Sequence, residues 1–255
     1  MSSIIHEDKR NNLYYYVGKT REDIGKLAAT IASDRIKKLL KQKDEVRIIF
    51  ASAPSQDEML SYLINNQEID WSRIIGFHMD EYIGLPSDSD QWFKKYLEKN
   101  ITSKVNIKQF HFIDGTKPIR DEVNRYTKLL NEAPIDLVCL GVGENGHIAF
   151  NDPPVADFND PEKIKVVELD QFSRQQQVND GCFPKIEDVP THALTLTIPT
   201  LTAGKTMVCT VPGRTKTEAI NKMLNNSVDS SCPATILRRH RDAHLIVDKD
   251  AFGRS

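Results

Sequence analysis

Leu140-Gly141-Val142-Gly143-Glu144-Asn145-Gly146-His147-Ile148-Ala149-Phe150-Asn151-Asp152-Pro153 completes an apolar run, Ile135 to Leu140, that reads as a buried strand. Gly141 and Gly143 end the run, and glycines let a backbone turn sharply and come close to a ligand. A histidine, amides and carboxylates follow within a few residues. Titratable groups just past the C-terminal end of a buried strand stand where open α/β sheets bind ligands. The Gly-x-Gly pair alone is a weak signal for a nucleotide site.

Outward from this loop, strands and helices alternate. Thr20 with Asp23 reads as a variant capping box opening a long helix, with Ile24, Leu27, Ala28 and Ile31 at helical spacing and Lys37 to Lys43 at its end. Val46 to Ala51, Arg73 to His78 and Gln109 to Ile113 read as strands, and Asp80 to Asp90 as a polar loop. Helices are expected around Met59, Leu60 and Leu63, over Gln91 to Leu97, and over Glu122 to Leu130. The stretch from Asp152 to Val189 is too long for an ordinary connection and is expected to hold a helix or lid of its own. Ala193 to Ile198, Thr206 to Val211 and His244 to Val247 read as further strands, with a helix over Lys216 to Leu224. The alternation predicts an α/β fold with a mostly parallel sheet covered by helices on both faces. No repeat or linker divides the chain, so residues 1–255 are expected to form one domain.

At 255 residues the chain can bury a sizeable core without disulfides or a structural metal. Its net charge of −2 is evenly mixed, which argues against nucleic acid as a partner. Cys139, Cys182, Cys209 and Cys232 have no metal-ligand or redox spacing, and Cys139 and Cys209 read as reduced core residues. Met1 to Tyr16 lacks an apolar core of signal-peptide length, and no run could span a membrane. A cytoplasmic location without membrane contact is therefore expected.

Four loops after strands carry the candidate chemistry. Ser52-Ala53-Pro54-Ser55-Gln56 offers two hydroxyls and a helix start, which can hold a phosphate or merely cap the helix. In Phe77-His78-Met79-Asp80-Glu81-Tyr82-Ile83-Gly84-Leu85, one of two adjacent carboxylates can face the cleft while the other points away. The third loop carries His147. The fourth, Val211-Pro212-Gly213-Arg214-Thr215-Lys216, puts two cations at a helix start, a mild dipole cost that a bound anion would explain. Together they assemble a carboxylate base, a histidine, phosphate donors and a lysine at one edge of a sheet. That set suits proton transfer beside the carbonyl of a phosphorylated sugar.

Two of these loops resemble signatures of the glucosamine-6-phosphate deaminase/isomerase family. His78 to Leu85 is similar to N-M-D-E-Y-x-G-L except at its first residue, and Gly141 to Pro153 to G-x-G-x-[DN]-G-H-x-x-x-N-[ED]-P. Gly213-x-x-Lys216 is similar to the family's G-x-x-K turn, and order and spacing agree from about Thr20 to Phe252. The resemblance implies a Rossmann-like sheet and an aldose–ketose isomerisation that releases ammonia. It implies that Asp80 moves a proton between C2 and C1, and that His147 opens the pyranose ring, helped by the residues at Asn145 and Asp152. Glu81 and Glu144 are expected behind these groups, and Ser52, Ser55, Lys216 and Arg214 at the phosphate. No metal or organic cofactor is implied.

The chain also departs from that pattern. The family's T-G-G-T-P loop is replaced by Ser52 to Gln56, and Pro54 removes a backbone donor. The family's phosphate arginine has no clear counterpart; Arg174 is nearby in sequence. Asn145 replaces an aspartate, so Asp152, with Glu144, is expected to supply the charge beside His147. An amino-sugar 6-phosphate deaminase/isomerase is the expected function, with a small sugar phosphate as partner and assembly into a homo-oligomer left open. The alternatives are a 6-phosphogluconolactonase-like hydrolase and a non-catalytic sugar-phosphate sensor. Tyr82 and the Ile148 to Pro153 tail argue against the lactonase, which normally has arginine after its Asp-Glu pair and T-A-S-L-F-P after the histidine.

Overall fold

The structure, a computed structural model, describes residues 3–253. Four short apolar runs form its centre: β3 (Val46–Phe50), β7 (Leu137–Leu140), β10 (Thr206–Val211) and β11 (Ala243–Asp248), each buried along its whole length. They belong to an eight-stranded sheet completed by β1 (Ile4–Arg10), β2 (Leu13–Gly18), β4 (Ile74–His78) and β6 (Gln109–His111), in the order β1-β2-β11-β10-β7-β3-β4-β6. Every pairing is parallel except that of β1 with β2. Continuous apolar strands of this kind need cover on both faces.

Successive side chains along these strands supply that cover alternately. Ile48, Phe50, Leu137, Cys139, Val208 and Ile246 pack against α1 (Arg21–Leu40) and α2 (Asp57–Ile64). Ile49, Val138, Leu140, Cys209 and Val247 face the opposite layer, which includes α4 (Ile119–Asn131), α6 (Ile198–Thr202) and α7 (Thr217–Asn225). Each fully buried large aliphatic contributes about 1.5–3 kcal/mol, so this two-faced pattern dominates the fold. Cys139 and Cys209 are fully buried free thiols, as read from their strands. Thr20 caps α1 by accepting from Asp23 N, and its hydroxyl donates to the Asp23 carboxylate at 2.8 Å.

The structure corrects the strand assignment in three places. Ala193 to Ile198 does not extend the parallel sheet. Its strand, β9 (His192–Leu196), lies in a second, antiparallel sheet between β5 (Asp80–Tyr82) and β8 (Ile164–Glu168), and the chain then enters α6. Asp80 to Tyr82, read as polar loop, is therefore a strand, and all three of its residues are buried. The N-terminal hairpin β1–β2 was not foreseen, because β1 is a polar and mostly exposed edge strand. The long polar stretch does hold a helix of its own, α5 (Gln171–Asn179), as expected, alongside β8. The two short remaining helices are α3 (Phe93–Leu97) and α8 (Lys249–Phe252).

Parallel strands share one direction. The loops that leave β4, β3, β7 and β10, four neighbours in the sheet, thus emerge side by side. Gln56 ties three of them together, its Nε2 donating to Leu140 O at 3.2 Å and Thr210 O at 3.4 Å.

Candidate active site

The four loops and the first helix surround a cavity of about 240 Å³. Asp80, His147, Ser52, Ser55 and Lys216 line it, together with Arg21 from α1 and Gln176, Gln177 and Asp180 from α5 and its C-terminal end. Arg214 does not; it is exposed at the turn before α7. Arg174 is also turned to another task, donating to Ile186 O at 2.7 Å and Val189 O at 2.9 Å.

The His147 ring rests directly on the backbone of the loop. A Cβ at residue 143 would lie 2.1 Å from the ring's Cε1, so only glycine admits this packing. Gly141, Gly143 and Gly146 have the spacing of a dinucleotide-binding turn. No helix follows them, however, and the space above is taken by the histidine. Gly146 adopts φ +87° and Ala149 φ +52°; the latter is a strained conformation for a residue with a side chain.

Around the imidazole, every near neighbour of Nδ1 can accept. Asn145 Oδ1 lies 2.9 Å away, Asp152 Oδ1 3.0 Å and Ser173 Oγ 3.1 Å. The Ser173 hydroxyl donates to Asp152 at 2.5 Å, and Asn145 Oδ1 already accepts from His147 N at 3.0 Å. This network places a proton on Nδ1 and leaves Nε2 without a partner among the described residues. Burial raises the Asp152 carboxyl, but the interactions with His147, Asn145 and Ser173 more than offset it and hold it below its ordinary value. Asp152 thus stands where a charge for His147 was expected. Glu144 is not among the groups around the ring; its charge instead acts on Lys216.

Asp80 and Glu81 alternate across β5, as their adjacency suggested. Glu81 is fully buried behind the site and accepts from Tyr82 N at 2.9 Å and from Phe93 N and Lys94 N at 3.0 Å. Burial nevertheless pushes its carboxyl up to about 7. Asp80 has no such donors. Burial, reinforced by Glu81, lifts it well above the usual carboxylate range while it lines the cavity. A carboxyl in that setting is a proton carrier.

Ser52 Oγ, from the loop after β3, is buried without a hydrogen-bond partner among the described residues. Lys216 is only 7% exposed. Burial lowers its pKa, opposed by the charges of Asp180 and Glu144, and no ion pair to it forms among the described residues. A buried cation and a buried hydroxyl that line one cavity have the chemistry to hold an anion. Among the described residues no cluster of His, Cys, Asp or Glu is arranged to hold a metal ion.

The sequence reading missed Ser173, Gln176 and Asp180. All three sit in or just after α5, whose N-cap Asp170 accepts from Ser173 N at 2.7 Å. Gln176 Oε1 accepts from Glu144 N at 2.9 Å and Gln177 Oε1 from the Tyr82 hydroxyl at 2.9 Å, which fastens the helix over the His147 loop. The N-cap was recognisable locally, but the docking was not.

Comparisons with known proteins place the chain in one family. Residues 19–246 match the family model described as glucosamine-6-phosphate isomerases/6-phosphogluconolactonase. The glucosamine-6-phosphate deaminase of Bacillus cereus (strain G9842) is 32% identical over 237 residues, covering 92% of this chain and 87% of that protein. A monomeric glucosamine-6-phosphate deaminase of known structure superposes with a TM-score of 0.84 at 27% identity, over 96% of this chain and 100% of the other. The 6-phosphogluconolactonase of Thermotoga maritima has a TM-score of 0.77 at 20% identity, over 93% of this chain and 100% of the other, a likeness of fold alone.

Proposed function

Because the chain belongs to the glucosamine-6-phosphate isomerase/6-phosphogluconolactonase family, we propose that it is an amino-sugar 6-phosphate deaminase. The reaction converts a hexosamine 6-phosphate and water into a ketose 6-phosphate and ammonia. The observation that carries this reading is the pairing, in one cavity, of a buried carboxyl with raised pKa and a histidine whose Nε2 has no partner among the described residues.

The steps follow from those groups. His147 Nε2 takes the proton of the sugar's O1 hydroxyl and returns it to the ring oxygen, opening the pyranose. Asp152 steadies the transient imidazolium from the Nδ1 side. Asp80 removes the C2 proton and delivers it to C1. The substrate's own ammonium group at C2 favours the ionised form of Asp80 and so opposes the burial that raises its carboxyl. Water then hydrolyses the C2 imine and ammonia leaves. Lys216, Ser52 and Ser55 hold the phosphate and fix the position of the reacting carbons.

Tyr82 supports the deaminase over the lactonase. It is fully buried in an aromatic group with Phe93, Phe150 and Phe183, where an arginine would leave an unpaired charge. The test is solvent exchange at C2. In D2O the wild-type protein is expected to exchange the C2 proton of glucosamine 6-phosphate, followed by NMR, and Asp80→Asn to lose that exchange while remaining folded. Exchange in the variant at near wild-type rate would remove Asp80 from this role.

A further inference from the structure

We propose that Arg21, at the first turn of α1, is an additional anion ligand of this cavity and sets its selectivity for phosphorylated substrates. The proposal rests on the phosphate reading of Lys216 and Ser52 given above.

Arg21 lines the cavity on the side of the Ser52–Gln56 loop. Its guanidinium is held in place by its own partners. Nε donates to Glu58 at 2.8 Å, and Nη2 donates both to Glu58 at 3.0 Å and to Pro54 O at 2.7 Å. This two-point grip fixes the plane of the fork and leaves the two Nη1 hydrogens without a partner among the described residues. Two features ask for an anion there. Pro54 lacks an N–H and Gln56 N is spent on Ala53 O at 2.9 Å, so neither adds a backbone donor for an anion on this loop. Finally, Ser52 Oγ, on the same loop and nine-tenths buried, has no partner. Asp180 adds a further reason. It lines the same cavity and acts on Lys216, so a lone lysine would face a dianionic phosphate beside a carboxylate. Arginine, with donors in a fixed fork, suits that phosphate better than a second lysine.

The probe is inorganic phosphate, whose dissociation constant is measured by calorimetry, together with KM and kcat for glucosamine 6-phosphate. Arg21→Ala is expected to weaken inorganic phosphate by about 10- to 100-fold, as for loss of a charge-assisted hydrogen bond, and to raise KM more than it lowers kcat. Arg21→Lys should lose less than Arg21→Ala. If thermal melting shows Arg21→Ala to be unfolded, Arg21→Lys decides alone, with a severalfold loss expected. Lys216→Ala separates the two layers of the argument. Weakened phosphate binding in Lys216→Ala with none in the Arg21 variants overturns the role of Arg21 and leaves the phosphate site standing. Unchanged binding in all of them overturns both.

Discussion

Asn145 links His147 to Asp152 through the two ends of its amide. From sequence it replaces an aspartate and leaves the charge beside His147 to Asp152. In the structure its amide is used at both ends: Nδ2 donates to Asp152 Oδ1 at 2.8 Å while Oδ1 accepts from His147 N. A carboxylate there would turn that donor into a second negative oxygen against Asp152. One of the two acids would then have its folded pKa raised, and such a group costs stability progressively as pH rises through that pKa. Asn145→Asp is therefore expected to match wild type near pH 4 and to fall about 1–3 kcal/mol below it at pH 8, by urea unfolding. A difference independent of pH would contradict the contact. Glu81 obeys the same sign rule. Its carboxyl is pushed from 4.5 to about 7, so its contribution is intact at low pH and shrinks as pH rises through about 7. Wild type should lose about 3 kcal/mol more than Glu81→Gln across that range. Equal slopes would show that Glu81 is not buried as a neutral acid.

Among the elements, α5 is where the chain's own text is least informative. Its helix start is legible, because Asp170 precedes a capped turn, and the length of the stretch from Asp152 announces structure of its own. That Ser173 reaches Asp152 and Gln176 reaches Glu144 N is tertiary information, since 21 and 32 residues separate those partners. The four loops that line the cavity are legible for the opposite reason. Each ends an apolar strand, and parallel order alone brings strand ends to one edge. Asp170→Ala tests the helix as a unit. Loss of an N-cap costs about 1 kcal/mol, and faster amide exchange confined to α5, with a higher KM for glucosamine 6-phosphate, is expected. Exchange that rises equally in β7 and β10 would mean that α5 is not an independent piece over the site.

At the scale of the molecule, the parallel sheet and its two covered faces follow from apolar runs that any reader of the chain can see. The second sheet does not, because β5 has only three residues, Asp80 to Tyr82, two of them acidic. Those acids are buried against pattern, and the cost is taken where the chemistry is. Burial lifts Asp80, the network around Asp152 orients His147, and the buried Lys216 and Ser52 line the same cavity. The measurement that bears most directly on this account is product formation from glucosamine 6-phosphate and its hexosamine 6-phosphate epimers, with 6-phosphogluconolactone tested in parallel. The account predicts ammonia and ketose 6-phosphate in equal amounts from at least one hexosamine 6-phosphate, with no hydrolysis of the lactone. Lactone hydrolysis without ammonia, or turnover of none of these compounds, would contradict it.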